Sequence, residues 1–192
     1  MRLIVAMSGA SGAQYGLRLI ETLHNLGHEI DLVVSSGAEK VLDLEVDFDY
    51  QKILDMADYH YNISDISAPI ASGTHPNQGM IVMPCSMKTL AAIAHGFSQN
   101  LIHRAADCML KEGRKLVLVN RETPLNRIHL TNMLTVQEAG ATILPASPGF
   151  YYQPRSVDDL VNFVVGKTLN VFGISHTLFQ PWDPENAAST QS

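Results

Sequence analysis

Four stretches of this sequence carry residues whose types and spacing suit chemistry, and each follows a short apolar run. The first is Gly9-Ala10-Ser11-Gly12-Ala13-Gln14-Tyr15-Gly16. Glycines allow a tight turn and close backbone approach, and a helix opening behind them favours an anion. The spacing is G-x-x-G-x-x-x-G, which matches neither the dinucleotide fingerprint nor the phosphate loop of ATPases. Val34 is followed by Ser35 and Ser36, not by the acid that an NAD ribose requires. A mononucleotide phosphate at Gly9–Gly12 suits this turn better than NAD or ATP; a plain packing turn explains it equally well.

The second stretch, Pro84-Cys85-Ser86-Met87-Lys88-Thr89, opens an apolar helix. Ser86 suits an N-cap, and it also suits a polar group beside the same ligand. Cys85 has no base at a telling spacing, so a buried structural thiol is expected. The third is Arg121-Glu122-Thr123-Pro124, with Thr123 and Pro124 as cap and first helical residue. An arginine beside a protonatable carboxyl suits phosphate binding with general acid catalysis; a surface ion pair is the alternative. The fourth, Pro145 to Pro154, is a rigid loop presenting Tyr151 and other aromatic groups.

Three charged residues stand apart. Glu45 falls on the apolar stripe set by Ala38, Val41 and Leu42, where a carboxylate needs a partner, unless the helix has already frayed. Lys111 shares a polar face with Arg104 and Asp107, the pattern of a solvated helix surface. Lys167 borders an apolar stripe, where a lysine stem ordinarily snorkels.

Apolar runs at Arg2–Met7, His28–Val34, Met80–Pro84, Leu116–Asn120 and Ala141–Leu144 predict strands. Helical patterns lie between them, at 13–26, 37–46, 50–59, 86–95, 101–112 and 125–139. Ser156 and Gly173 bound a last helix whose face is Val157, Leu160, Val161, Val164, Thr168 and Val171. Residues 174–192 form a tail with the only tryptophan, Trp182, between Pro181 and Pro184. Alternation of this kind predicts an α/β fold with a mainly parallel sheet, whose ligands bind beyond the carboxyl ends of the strands.

Composition narrows the class. In 192 residues there are 13 basic and 19 acidic side chains, a net charge of −6, which excludes a broadly cationic nucleic-acid binder. Charged residues make up only 17%, below the ~25% usual in soluble domains, so much of the surface is expected to meet other subunits. Two cysteines without a CxxC pair and eight histidines without HExxH point to no metal site or disulfide framework. No apolar run approaches the ~18 residues of a membrane span, and Leu3–Met7 is shorter than the ~7–15 of a signal-peptide core. A cytoplasmic protein is expected.

Taken together, the chain resembles the UbiX-type flavin prenyltransferases, part of a flavoprotein group that also contains cysteine decarboxylases. The likeness rests on SGASGAQYG at Ser8–Gly16, PCSMKTL at Pro84–Leu90 and RAADCMLKEGRKLVLVNRETP at Arg104–Pro124. PASPGFYYQPRSVDDLVNFVVGKTL at Pro145–Leu169 completes it. The resemblance implies a single Rossmann-like, doubly wound domain over residues 1–173, with the tail from 174 contributing Trp182. It implies a homo-oligomer, usually a dodecamer, with active sites at subunit junctions.

The implied activity joins a dimethylallyl group from dimethylallyl monophosphate to N5 and C6 of reduced FMN, without a metal. The product, prenylated FMN, serves UbiD-type decarboxylases, as in ubiquinone biosynthesis. The implied FMN contacts are Gly9, Ala10, Ser11, Ser35, Ser86, Met87, Lys88, Thr89 and Arg121. The implied prenyl-phosphate contacts are Lys111, Arg121, Tyr151 and Lys167. Ser11, Glu45, Glu122 and Trp182 take catalytic roles: Glu45 near the flavin N5, Glu122 protonating the departing phosphate, Trp182 over the allylic cation. Many members carry arginine where this chain has Lys167, which keeps the charge and loses the bidentate fork. The alternatives are an FMN-dependent decarboxylase of phenolic acids or cysteinyl peptides and a flavin-carrying decarboxylase subunit. The P-x-M-N-x-x-M-W signature of the cysteinyl branch is absent.

Overall fold

Runs of aliphatic residues that must be covered on both faces form the centre of the molecule. In β1 (Arg2–Met7), Leu3 to Met7 are fully buried, as a strand inside a parallel sheet requires. A computed structural model describes residues 1–46 and 49–182. The chain divides into two compact units, Met1–Ala146 and the part from Ser147 onward.

The first unit contains α1 (Ala13–Asn25), β2 (Glu29–Val34), α2 (Ser36–Glu45), α3 (Tyr50–Asp55), β3 (Tyr59–Tyr61) and β4 (Gly79–Cys85). It continues through α4 (Met87–Ala94), α5 (Leu101–Lys111), β5 (Lys115–Asn120), α6 (Arg127–Glu138) and β6 (Thr142–Ile143). Its six strands pair in the order β3-β2-β1-β4-β5-β6, every pair parallel. The order reverses between β1 and β4, so the ligand crevice of such a sheet opens beyond Met7 and Cys85. The expected α/β, doubly wound parallel sheet is what forms.

Two element boundaries differ from the sequence reading. The expected helix 50–59 stops at Asp55, because Tyr59–Tyr61 pairs with Asp31–Val33 as an edge strand. The Asp58 carboxylate takes the Ile30 amide at 2.8 Å and holds that edge in register. The helix expected from Leu125 starts at Arg127. Its cap is Asn126, which accepts the His129 amide at 2.9 Å in a capping box, so Thr123 and Pro124 are neither cap nor first helical residue. Ser86, by contrast, caps α4 as expected.

The second unit holds α7 (Val157–Phe172). Ser156 caps it in a capping box with Asp159, and Gly173 ends it with φ 70°. The buried side is wider than the expected stripe, adding Phe163, Val165, Leu169 and Phe172, while Val157 is exposed. Of the expected tail, residues 183–192 lie outside the described residues.

The amino half of the sheet carries a polar hub that the apolar pattern hid. Asp31, fully buried in β2, accepts two hydrogen bonds from the Arg2 guanidinium (2.7 and 2.8 Å), one from the Tyr61 hydroxyl (2.9 Å) and pairs with His75 Nε2 (3.0 Å). Arg114 donates to the carbonyls of His75 and Gly73 and so fixes the loop that delivers the histidine. Burial alone would raise the Asp31 pKa; the bonds from Arg2, His75 and Tyr61 outweigh it and hold the carboxyl below its ordinary value. A depressed carboxyl stabilises the fold above its unfolded pKa of ~4, and that contribution disappears as pH falls through the native value. Removing one partner of such a buried pair costs ~3–5 kcal/mol. Asp31→Ala is therefore expected to lower the urea midpoint strongly at pH 7, with a smaller difference from the parent in acid. An unchanged midpoint at pH 7 would refute the hub's role.

Candidate active site at the carboxyl edge

The loops after β1, β2, β4 and β5 meet around the switch between β1 and β4, sewn together by backbone and one buried hydroxyl. Ser8, at the end of β1, donates its hydroxyl to the Pro84 carbonyl (3.0 Å) and accepts the Ser86 amide (2.8 Å). The Ser35 amide donates to the Met7 carbonyl, and the Arg121 amide to that of Cys85. A Cβ on Gly9 would lie 3.0 Å from the backbone of Gly37, so only glycine lets this turn rest on the start of α2. Gly9–Ser11, Ser35, Ser86–Thr89 and Arg121 therefore share one edge.

The helix start behind the glycine turn is not an open anion site. Gly12 occupies the N-cap of α1 with φ 100° and has no side chain with which to cap it. Glu45, the last residue of α2, supplies the missing acceptor: its Oε2 takes the amides of Gly12 (2.7 Å) and Ala13 (3.0 Å). These two amides are therefore held by the chain's own carboxylate. Helix α2 runs through Glu45, its last residue, and Glu45 is exposed rather than part of the buried face of Ala38 and Leu42.

Ser11 joins the two charges. Its hydroxyl bonds the Glu45 carboxylate, and its carbonyl accepts Arg121 Nε at 3.1 Å. Burial pushes the Glu45 carboxyl up; the Ser11 hydroxyl, the Gly12 and Ala13 amides and the Arg121 charge pull it further down, so it lies below its ordinary value. Tyr15 borders the same turn, and burial raises its phenol against the pull of Arg121. Sequence reasoning missed Tyr15; its signal was helical placement one turn after Gly12.

Ser35 and Ser86 cap α2 and α4, each accepting the amide three residues on (3.0 and 3.3 Å). Ser86 also donates to the hydroxyl of buried Thr89 (3.2 Å), while Lys88 is exposed. Glu122 is exposed and turns its carboxylate onto the Thr123 amide at 3.0 Å. Cys85 is buried and its thiol is pushed up to about 12 by burial, as a structural cysteine.

The remaining expected residues lie elsewhere. Lys111 ends α5, before β5 begins, whereas Arg121 follows β5. Six residues of strand put ~20 Å between those two edges. Within one chain Lys111 instead pairs with Glu112 at 2.7 Å, and Arg104 with Asp107 at 2.8 Å, the solvated helix face that the spacing implied. Tyr151, Lys167 and Trp182 belong to the second unit, where Tyr151 and Trp182 pack edge to face with ring centres 5.5 Å apart.

The flavoprotein family model matches residues 1–169. A flavin prenyltransferase UbiX of Halalkalibacterium halodurans is 48% identical, over 94% of this chain and 93% of its own. The chain belongs to the UbiX-type flavin prenyltransferases. A crystal structure of AnUbiX in complex with FMN and dimethylallyl pyrophosphate is 48% identical, with TM-score 0.93, covering 95% of this chain and 97% of that one. A dodecameric FMN-dependent UbiX-like decarboxylase from Escherichia coli O157:H7 is 45% identical, with TM-score 0.93, covering 95% and 100%. For this UbiX-type chain, among the described residues, no group of three or more His, Cys, Asp and Glu is placed to hold a metal. No helix among them is long and apolar enough to cross a membrane.

Because Glu45 does the capping that Gly12 cannot, Glu45→Gln should cost ~1 kcal/mol at pH 7, the usual worth of a cap. Its carboxyl is depressed in the fold, so the stabilisation is present above the unfolded pKa and lost below the native one. Denaturation followed from pH 7 to pH 3 is expected to bring parent and variant together in acid. Curves that stay parallel across that range would show that Glu45's charge does not hold the helix.

Proposed function

We propose that this protein joins a dimethylallyl group to reduced FMN, and the observation that carries the reading is the Ser11–Glu45–Arg121 cluster at the β1/β4 switch. The donor set fits a flavin mononucleotide. Two serine-capped helix starts, Lys88 and Arg121 share one edge, and no acid follows β2 to select a dinucleotide. With the α1 amides held by Glu45, the FMN phosphate goes to the starts of α2 and α4, at Ser35 and Ser86–Thr89. Gly9 and Ala10 supply close-packed backbone beside the ring, where Met87 adds apolar contact.

The flavin supplies nucleophilic N5 and C6 atoms. N5 bonds the allylic carbon as the C–O bond breaks, phosphate leaving with the electron pair and N5 giving up its proton. The prenyl double bond then takes up a proton, and C6 bonds the resulting tertiary carbon and gives up its hydrogen as a proton, which closes the ring. Arg121, Lys111 and Lys167 meet the phosphate charge in place of a metal ion. Glu122 hands the departing phosphate a proton, for which its exposed carboxyl must be covered by ligand and neighbouring subunit. Ser11 and Glu45 hold the N5 side, Tyr151 lines the donor, and Trp182 faces the positive charge growing on the allylic carbons.

Since Lys111 lies at the opposite edge from Arg121, it reaches a donor only from another copy of the chain. A homo-oligomer, a dodecamer in our reading, is then part of the site. Exposed Ile128, Leu130 and Leu134 on α6 are surface for such contacts. The product passes to a UbiD-type decarboxylase in the cytoplasm. Direct decarboxylation of phenolic acids or cysteinyl peptides gives these residues no use for three phosphate-binding cations.

After anaerobic incubation with reduced FMN and dimethylallyl monophosphate, mass spectrometry is expected to find flavin heavier by one dimethylallyl unit; the diphosphate serves as a second donor arm. Unmodified flavin with both donors would overturn the reading. Arg121→Ala should weaken FMN and donor by ~10–100-fold, the worth of a charged hydrogen bond. Lys167→Arg is expected to bind donor at least as tightly as the parent, whereas unchanged binding in Lys167→Ala would return that lysine to snorkelling. Light scattering of the parent is expected to give a large oligomer, and a monomer would contradict the shared site.

A further inference from the structure

The second unit contains a device that neither the reaction nor the family likeness accounts for. Beyond Gly173 the chain folds back along α7, and His176 is the point of attachment. Its Nε2 lies 3.0 Å from the Gly166 carbonyl and 3.1 Å from Asn170 Oδ1, and its Nδ1 lies 3.2 Å from the Leu178 amide nitrogen. A backbone amide can only donate, so Nδ1 is the acceptor and the ring proton sits on Nε2, shared between the two oxygens.

Beside this ring Phe179 fills a notch in the helix. A Cβ at position 166 would lie 2.5 Å from Phe179 Cε1 and 2.6 Å from His176 Cε1, so the notch exists because the residue is glycine. Phe179 packs on His176 (5.2 Å between ring centres) and on Phe163 (5.0 Å). Phe163 stacks flat on Tyr152 (5.1 Å, 2°) and meets Tyr151 edge-on (5.8 Å, 79°). Tyr151 in turn meets Trp182 edge-on at 5.5 Å. The attachment on α7 is thus continuous, ring by ring, with Trp182.

Burial does not hold the far end of this chain of rings. Trp182 is 57% exposed and Tyr151 48%, so their mutual setting depends on edge contacts and on where the tail is tied. Lys167 follows Gly166 directly and stands one helical turn from Phe163, ~5–6 Å between Cβ atoms. The same short stretch of α7 therefore carries the donor lysine, the notch and the ring on which Tyr151 leans.

We propose that Gly166, His176 and Phe179 form a latch that positions Trp182 against Tyr151 for the allylic group of the donor. This rests on the prenyl-transfer reading. All three are positioning residues, since none of them is placed at the donor itself. A ring displaced by about 1 Å costs on the order of 100-fold in rate, so loosening the latch acts on turnover without touching the flavin residues of the first unit.

Trp182 is the only tryptophan, so its emission reports the latch without interference from another indole. His176→Ala, Phe179→Ala and Gly166→Ala are compared with the parent before and after FMN is added. The readouts are Trp182 emission maximum, its quenching by acrylamide, FMN affinity, and single-turnover consumption of dimethylallyl monophosphate. The expected result is red-shifted, more quenchable emission and turnover slowed ~10–100-fold, with FMN affinity kept. His176→Gln retains one acceptor and one donor and should restore both the emission and the rate. Parental emission in all three variants, or altered emission with parental turnover, would overturn the latch. If His176→Ala does not fold, Gly166→Ala, which only fills the notch, decides the question. A parent that consumes no donor overturns the prenyl-transfer reading instead, whatever the variants do to Trp182.

Discussion

The carboxylate of Glu45 on the first amides of α1 is the contact around which the site is organised. A turn that must run close to a neighbouring helix start requires glycine, and glycine cannot cap the helix that follows it. The two needs conflict locally, and a side chain 33 residues further along the chain resolves them. The solution ties the end of α2 to the start of α1 and places a negative charge at that helix start. It also fixes Ser11, which bonds Glu45 with its hydroxyl and Arg121 with its carbonyl, so the loops after β1 and β5 and the end of α2 share one short network.

The parallel sheet imposes a second constraint. All its strand ends of one sense lie on one edge, and the chain uses the two edges differently. At the amino half, Arg2, Asp31, Tyr61 and His75 satisfy one another around a buried charge, which is a structural use of polar groups. At the carboxyl edge, Ser35, Ser86, Thr89 and Arg121 are gathered by helix caps and by backbone bonds between strand ends. Lys111 stands at the opposite edge, and a strand's length keeps it from reaching Arg121 within one chain. Its assignment to a phosphate is coherent only when a second copy of the chain supplies it.

Much of the fold was legible because apolar runs covered on both faces have few alternatives to a parallel sheet, and because Ser86, Ser156 and Gly173 mark helix ends by local chemistry. Local chemistry misled at Thr123-Pro124, where Asn126 and His129 formed the stronger capping pair three residues later. Edge strand β3 was hidden because Tyr59–Tyr61 continues a helical pattern and gains its pairing only from distant Asp31–Val33. Asp31 was passed over inside the apolar run His28–Val34, and none of its partners, at positions 2, 61 and 75, is near it in sequence. Glu45 shows the limit most clearly: its misplacement on an apolar stripe was legible, and the helix terminus it serves was not.

The same distinction separates the two groups of site residues. Those proposed for the flavin are held by backbone hydrogen bonds and caps at the strand ends, so their positions follow once the sheet has formed. Tyr151 and Trp182 have no such frame; each exposes about half of its surface and owes its orientation to neighbouring rings. A cation developing on an allylic carbon is stabilised by a ring face only at close range and in the right attitude, a stricter demand than a phosphate makes of a lysine. On the proposed roles, a lysine serves at position 167 where the resemblance implies arginine in many members, while the rings are tied back to α7 through a glycine notch and a histidine. A flexible cation needs only to be near its ligand, whereas an aromatic face has to be aimed.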